Sequence, residues 1–280
     1  MSEIPAGAMR FNSDSQKLEY WNGSAWFQVH TQPTHSGTPR ATFFGGETPT
    51  IVNTIDYVEI TTTGNAADFG DLRETSKWCT ADAASHVRGY RFGGTVNPIT
   101  DKIDTWNFAT TGDATDFGTL TDSRLAHAGF SNAVRGIVGG GNPTNSATKN
   151  SSIETFNLAT AGESVAFGDT LNAATSGLIG TANQTRGLFA GGYTPTKISL
   201  VEYVTIASTG TVATWGNLTE VKQEPAGACS NQVRALVGAG TTGGATKRID
   251  MLTVATTGTA QIFGDLSTAC NSCMGGTNNP

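Results

Sequence analysis

Ile103–Leu120 reads IDTWNFATTGDATDFGTL, and this stretch recurs along the chain. The other copies are Ile55–Leu72 (IDYVEITTTGNAADFGDL), Ile153–Leu171 (IETFNLATAGESVAFGDTL), Val201–Leu218 (VEYVTIASTGTVATWGNL) and Ile249–Leu266 (IDMLTVATTGTAQIFGDL). The mid-copy glycines Gly64, Gly112, Gly162, Gly210 and Gly258 stand 48, 50, 48 and 48 residues apart. The aromatic landmarks Phe69, Phe117, Phe167, Trp215 and Phe263 keep the same steps. A period near 50 residues without helical patterning predicts an all-β propeller of four-stranded blades.

Each copy is preceded by an apolar strand ending in glycines: Arg40–Gly46, Arg88–Gly94, Arg135–Gly141, Arg186–Gly192 and Arg234–Gly240. The glycines suit positions that need positive φ or a close backbone approach. A small-residue strand such as Arg124–Asn132 or Glu224–Asn231 follows each Phe/Trp-Gly segment and completes four strands. Five copies predict five blades. The first copy starts at its second strand, so the C-terminal segment is expected to close blade one, which takes residues 40–73 plus 268–280. The others fall near 74–121, 122–171, 172–219 and 220–267.

Composition narrows the function classes. Glycine supplies 35 of 280 residues and charged residues only 14 %. A net charge of −6 disfavours nucleic acid and anionic membranes, whose phosphates require Lys and Arg. The start, MSEIPAGAMRF, has neither the basic nor the apolar region of a secretory signal. Cys79, Cys229, Cys270 and Cys273 are too few for a disulfide framework, so reduced thiols and synthesis in a cytosol are expected.

Residues 1–30 lie outside the repeat. An Asn22-Gly23 turn between aromatic, alternating segments predicts a hairpin. So small a sheet is unstable alone. It must pack on the propeller, on a copy of itself or on another protein, and Phe11, Leu18, Tyr20, Trp21, Trp26 and Phe27 are the expected contacts. Residues 31–39 read as a polar linker, and 40–280 as the propeller.

Most motifs that look chemical dissolve on comparing copies. The kinase-like Asp-Phe-Gly at Asp68 and Asp116 loses its Asp at Ala166, Thr214 and Ile262, so it reads as an aromatic plug and a turn. Gly240–Lys247 (GTTGGATK) resembles a phosphate loop, but Thr246 replaces the glycine before the lysine and no helix follows. Cys79, His127, Cys229 and Cys273 sit on expected innermost strands. Small apolar packing is the main reading for these cysteines, and a metal cluster is the alternative. Arg40, Arg88, Arg135, Arg186 and Arg234 form a ring of equivalent positions. Because every blade shares it, the ring reads as structural, with carbonyls or the carboxylates Asp56, Asp104, Glu154, Glu202 and Asp250 as partners; an anion site is the alternative. No Ser–His–Asp set or carboxylate pair stands out, so no catalytic residue, metal or cofactor is expected. What differs between blades is the better place for function. That directs attention to the unequal loops, with Asn97, Asn142, Asn145, Lys149, Asn150 and Tyr193 as candidate ligand-binding residues.

The repeat resembles the kelch repeat. Matching features are the small-residue first strand with Arg124 and His127, the double glycine, the alternating third strand and the Phe or Trp of the fourth. The implied fold is a five-bladed kelch-like propeller of four-stranded antiparallel blades, closed by the C-terminal strand. Gly7–Asp14 (GAMRFNSD) and Leu18–Trp26 (LEYWNGSAW) together resemble a short module of tailed-bacteriophage fibre and appendage proteins. That resemblance implies a non-enzymatic virion protein. Its N-terminal module would anchor to other virion proteins, and its propeller would adhere to a host-surface glycan or protein. A homo-oligomer is expected on symmetry grounds. A decoration protein without receptor is the alternative of the same origin. An oxidase or sialidase-like kelch enzyme is the alternative of another class.

Overall fold

The computed structural model describes residues 4–13, 17–28, 40–79, 82–94, 98–143, 148–225 and 227–270. The chain divides into two compact units, Met1–Ser36 and Gly37–Pro280.

The first unit is an antiparallel sheet of β1 (Met9–Asn12), β2 (Lys17–Trp21) and β3 (Trp26–Gln28). The β2–β3 connection is longer than a two-residue turn. Trp21 pairs with Trp26, and Asn22–Ala25 form the loop. Asn22 Oδ1 accepts bonds from the backbone amides of Ser24 and Ala25 and from the Ser24 hydroxyl. That Asx-type closure delays β3 to Trp26, two residues later than a two-residue Asn22-Gly23 turn would allow.

Strand alternation then sorts the side chains. Met9 pairs with Tyr20, Phe11 with Leu18 and Tyr20 with Phe27. All five side chains therefore share one face, and all five are exposed. The opposite face carries Glu19, which is buried and receives Arg10 and Asn12, both at 2.9 Å. Trp21 and Trp26 meet there at 5.5 Å, with the Arg10 guanidinium 4.2 Å over the Trp26 ring.

The second unit holds five sheets, here called one to five. Sheet one is β4 (Arg40–Phe44), β5 (Thr54–Glu59) and β6 (Ala67–Asp71). Sheet two is β7 (Asp82–Ala84), β8 (Arg88–Phe92), β9 (Lys102–Asn107) and β10 (Thr115–Thr119). Sheet three is β11 (Ala128–Ser131), β12 (Arg135–Gly139), β13 (Ser152–Asn157) and β14 (Val165–Thr170). Sheet four has β15 (Ile179–Ala182), β16 (Arg186–Ala190), β17 (Leu200–Thr205) and β18 (Val212–Asn217). Sheet five has β19 (Gly227–Ser230), β20 (Arg234–Thr241) and β21 (Ala245–Thr253). The short β22 (Gly258–Thr259) crosses to pair in parallel with β18, and β23 (Gln261–Cys270) returns to β21.

This overturns the expected five blades of four strands with C-terminal closure. With the N-terminal sheet there are six separate sheets, of three to five strands, and none is closed. Two local causes stand out. Thr241 pairs with Ala245 across a turn as tight as 242–244, so β20 and β21 are longer than their counterparts. The long β21 gives β23 a partner as far as the Thr246–Cys270 pair. Residues up to Cys270 are thereby used within sheet five instead of returning to β4. The remaining segment expected to close the fold, 271–280, lies outside the described residues. Among the described residues β4 pairs only with β5.

Consecutive sheets pack through one recurring junction. The aromatic plug of each sheet buries itself against the next: Phe69 with Trp106 and Ala114, Phe117 with Phe156 and Leu158, Phe167 with Val204 and Ile206, Trp215 with Leu252 and Val254. Beside each plug, backbones touch. A Cβ on Gly118 would lie 1.8 Å from the Gly162 carbonyl oxygen, and one on Gly216 would lie 1.5 Å from that of Gly258. Only glycine admits such an approach. The Gly112 amide donates to the Phe69 carbonyl at 2.7 Å, and the Gly162 amide to that of Phe117 at 2.8 Å. The β18–β22 pair is the same contact between sheets four and five, which gives sheet four its fifth strand. The double glycines work at the other end of the sheet. Gly46, Gly94, Gly141 and Gly192 donate amide bonds to the carbonyls of Ser76, Arg124, Thr175 and Lys222 in the following sheet, at 2.6–2.8 Å.

Candidate functional site

The predicted arginine ring works between sheets. Arg135 Nη1 donates to the Ile206 carbonyl at 2.9 Å, and Arg186 Nη1 to those of Val254 and Ala255, each at 2.9 Å. Arg40 Nη1 reaches the Phe108 carbonyl at 2.7 Å while its Nε donates to Glu59 at 2.8 Å. In the sheet of Arg88 the equivalent carbonyl, Leu158, is taken by the Tyr90 hydroxyl instead. Arg234, in the last sheet, is exposed and has no such partner among the described residues. Each of these carbonyls ends the third strand of the following sheet, so the arginines cap strands whose last acceptors would otherwise be buried unpaired.

The carboxylates proposed as partners of this ring have other partners. Asp104 binds Arg91 at 3.1 Å, and both side chains are fully buried. Glu154 binds Arg124 and accepts the Thr121 amide at 2.7 Å. Glu202 accepts the Asn172 amide at 2.9 Å, and Asp250 binds Lys222 at 2.8 Å. Asp56, in sheet one, is exposed. Burial raises the carboxyl pKa of Asp104 and of Glu202, against the pull of Arg91 and of the Asn172 amide respectively. Position explains the pairing. Asp104 faces its cross-strand neighbour Arg91 and, at 3.4 Å, Arg73, which follows the plug segment of sheet one. Glu154, Glu202 and Asp250 likewise meet residues that follow the preceding sheet's plug segment, and none reaches the far end of its own sheet, where the ring lies.

Among the described residues, His127 and the cysteines Cys79, Cys229 and Cys270 form no metal-binding group. The imidazole is fully buried, and burial beside the Arg124 guanidinium pushes its pKa down to about 3. It stays neutral and out of reach. Cys79 is buried and its sulfur accepts the Ser76 hydroxyl at 3.8 Å. Cys229 and Cys270 carry free thiols, and burial pushes the Cys229 thiol up, away from the nucleophilic thiolate. Cys273 lies outside the described residues. Among the described residues no group of three or more His, Cys, Asp or Glu side chains could hold a metal ion.

The loops between second and third strands form the remaining candidate surface. Asn97 and Asn145 lie outside the described residues. Lys149, from the loop of sheet three, places its ammonium 4.7 Å over the Tyr193 ring of sheet four. Lys197, in the loop of sheet four, donates to the Thr242 carbonyl of sheet five at 2.9 Å. Three loops are thus tied in a row. Asn150 is a staple: its Oδ1 accepts the Ser152 amide at 2.8 Å and its Nδ2 donates to Asp122 at 3.1 Å. Asn142 bridges to Leu125 through its backbone, and its Oδ1 is buried without a hydrogen-bond partner among the described residues. The exposed tips present Thr48, Thr50, Thr148 and Thr196. The face of the Tyr193 ring is thus covered by the Lys149 ammonium, with hydroxyls around it.

One further feature of this end escapes sequence reading. Trp78, Ala126, Gly177 and Glu224 occupy the same place in sheets two to five, and all have φ between 50 and 61°. Their backbones form a ladder: Ala126 N donates to Trp78 O at 2.9 Å, Gly177 N to Ala126 O at 2.8 Å, and Glu224 N to Gly177 O at 2.8 Å. Only Gly177 advertises this conformation in its side chain. Trp78 itself is exposed, whereas Tyr90 and Trp106 are buried in the core.

The fold thus defined has a counterpart among solved structures. The structure titled "Structure of YjhT" superposes with a TM-score of 0.66 at 11 % identity, covering 79 % of this chain and 80 % of that one. The likeness establishes an all-β, propeller-like fold. No protein-family model and no curated protein matches the chain. At such low identity the likeness extends to architecture and not to activity.

Proposed function

We propose that this chain is a non-catalytic structural protein of a tailed-phage virion. Its N-terminal sheet docks on other particle proteins or on sister chains, and its repeat unit serves as an interaction head for a host-surface glycan. The observation that carries the reading is the uniformly apolar, exposed face of Met9, Phe11, Leu18, Tyr20 and Phe27, on the module whose sequence resembles phage appendage proteins. A small sheet with one apolar face in water gains by covering it, at roughly 25 cal/mol per Å² buried. Trp21 and Trp26 belong to the opposite face, where they brace Arg10 and Glu19, so docking falls to Phe11, Leu18, Tyr20 and Phe27. The loop surface supplies neutral donors and acceptors with Tyr193. The buried charges behind it are engaged in ion pairs and amide bonds between strands, which leaves them unsuited to acid–base work.

The test is a phage carrying Phe11→Asp with Tyr20→Asp. Particles should form without this chain, while the purified variant keeps its fold. Normal incorporation, or absence of the chain from wild-type particles by mass spectrometry, would refute the virion reading. Full-length chain on a glycan array separates an adhesive head from a decoration protein: binding lost on Tyr193→Ala supports the head, and no binding at any concentration removes it.

A further inference from the structure

The junction between sheets occurs four times inside the chain, and its two halves are left uncovered at the ends. The plugs Phe69, Phe117, Phe167 and Trp215 are 0–3 % exposed, but the fifth, Phe263, is 55 % exposed. The residues that receive them behave in parallel. Leu158, Ile206 and Val254 are 0–3 % exposed, whereas their counterpart in sheet one, Ile60, is 58 % exposed. Gly264 has nothing within 4 Å of a built Cβ, whereas at its counterparts Gly70, Gly118, Gly168 and Gly216 a Cβ would meet backbone at 1.5–3.2 Å. Asp56 is exposed, while its counterparts accept bonds from the residue after the preceding plug segment, as Glu154 does from Thr121 and Glu202 from Asn172. The matching residue in the last repeat is Ser267, also exposed.

We propose that this outgoing face of sheet five, with Phe263, Gly264, Ser267 and Arg234, binds the incoming face of sheet one, with Ile60, Gly64 and Asp56, on a second copy of the chain. The interface repeats the internal one: the plug enters beside Ile60, the glycine backbones touch, Ser267 meets Asp56, and Arg234 caps the Ile60 carbonyl. The four internal junctions of the same chain show that these two surface types are complementary. The contact is heterologous, since different surfaces of identical subunits meet, and it propagates head to tail. It stands independently of the virion reading.

Sedimentation velocity of the full chain over a concentration series tests it, with Phe263→Asp and Ile60→Asp as the variants. Both sites are exposed, so neither charge disturbs the fold. Wild type should associate with rising concentration, and each variant alone should stay monomeric. Mixed, the two variants should form a 1:1 complex that grows no further, because each retains the face the other lacks. A monomeric wild type, a variant that assembles like wild type through its N-terminal sheet, or a mixture that stays monomeric would overturn the proposal. Asp56→Cys with Ser267→Cys, in a chain with Cys270 and Cys273 changed to serine, gives a second readout. Oxidised glutathione should link separate chains into a ladder, and a disulfide formed within one chain would also overturn it.

Discussion

Arg186 Nη1 lies 2.9 Å from the carbonyl oxygen of Val254, so a guanidinium at the start of one sheet's second strand caps the third strand of the next. The bond spans 68 residues of sequence and recurs from Arg40 and Arg135, while in sheet two the Tyr90 hydroxyl takes the equivalent carbonyl. Arg186→Ala should therefore lower unfolding free energy by about 1–3 kcal/mol, the usual loss for a charge-assisted bond to a half-buried acceptor. Arg234→Ala should change it by less than about 0.5 kcal/mol. Urea denaturation of the two variants makes the comparison; equal losses would mean that the capping contributes nothing.

Gly118→Ala places a methyl 1.8 Å from the Gly162 carbonyl, at a φ of 151°. The sheets must move apart or the backbone must strain, so a loss of roughly 2–4 kcal/mol is expected. Gly264→Ala, at the matching place with nothing nearby, should be neutral in the monomer. Melting temperatures measured at low protein concentration test the contrast.

His127 links stability to pH. Its pKa is about 3 in the folded chain and about 6.5 once exposed. Below pH 6.5 the unfolded chain takes up a proton that the folded chain refuses. The contribution is fully present above about pH 6.5 and falls by about 1.4 kcal/mol per pH unit down to pH 3. Asp104 and Glu202, raised by burial, act in the opposite sense, binding a proton more readily when folded. His127→Phe should flatten the acid limb of the stability curve by about one proton. An unchanged slope would place the acid sensitivity elsewhere.

Glu19→Ala should unfold the N-terminal sheet while leaving the repeat unit intact, because Arg10 and Asn12 both converge on that carboxylate. Loss of near-ultraviolet signal from Trp21 and Trp26 with an unchanged main melting transition is the expected pattern. Retained tryptophan asymmetry would show that the aromatic contacts suffice.

The strands were legible because the chain states them five times over. Phe117 and Trp215 identify each other as plugs even though the residues before them, Asp116 and Thr214, differ. What no repeat could reveal is behaviour at the ends, where a rule stops being copied. The extension of β23 to Cys270 follows from a tight turn at 242–244 that only the last repeat has. The partner of Glu154 was misassigned to the arginine ring because spacing along a strand does not tell which neighbouring sheet it faces, and that of Asp104 because the register sets Arg91, not Arg88, opposite it. The αL conformations of Trp78, Ala126 and Glu224 leave no trace in residue type. The face shared by Phe11, Leu18, Tyr20 and Phe27 was readable in composition, but its separation from Trp21 and Trp26 required the register.

The ladder through Trp78, Ala126, Gly177 and Glu224 is written wholly in main-chain amides. An indole, a methyl, a hydrogen and a carboxylate already occupy its four rungs. Mutation can redecorate the exposed rung at Trp78 with little effect on the scaffold beneath, whereas Gly177 is buried, with the Glu224 and Gln223 side chains 3.2–3.3 Å from a built Cβ. A lineage under pressure to change what it touches would find its variation here first, and a set of natural variants should differ most in side chains where the backbone differs least.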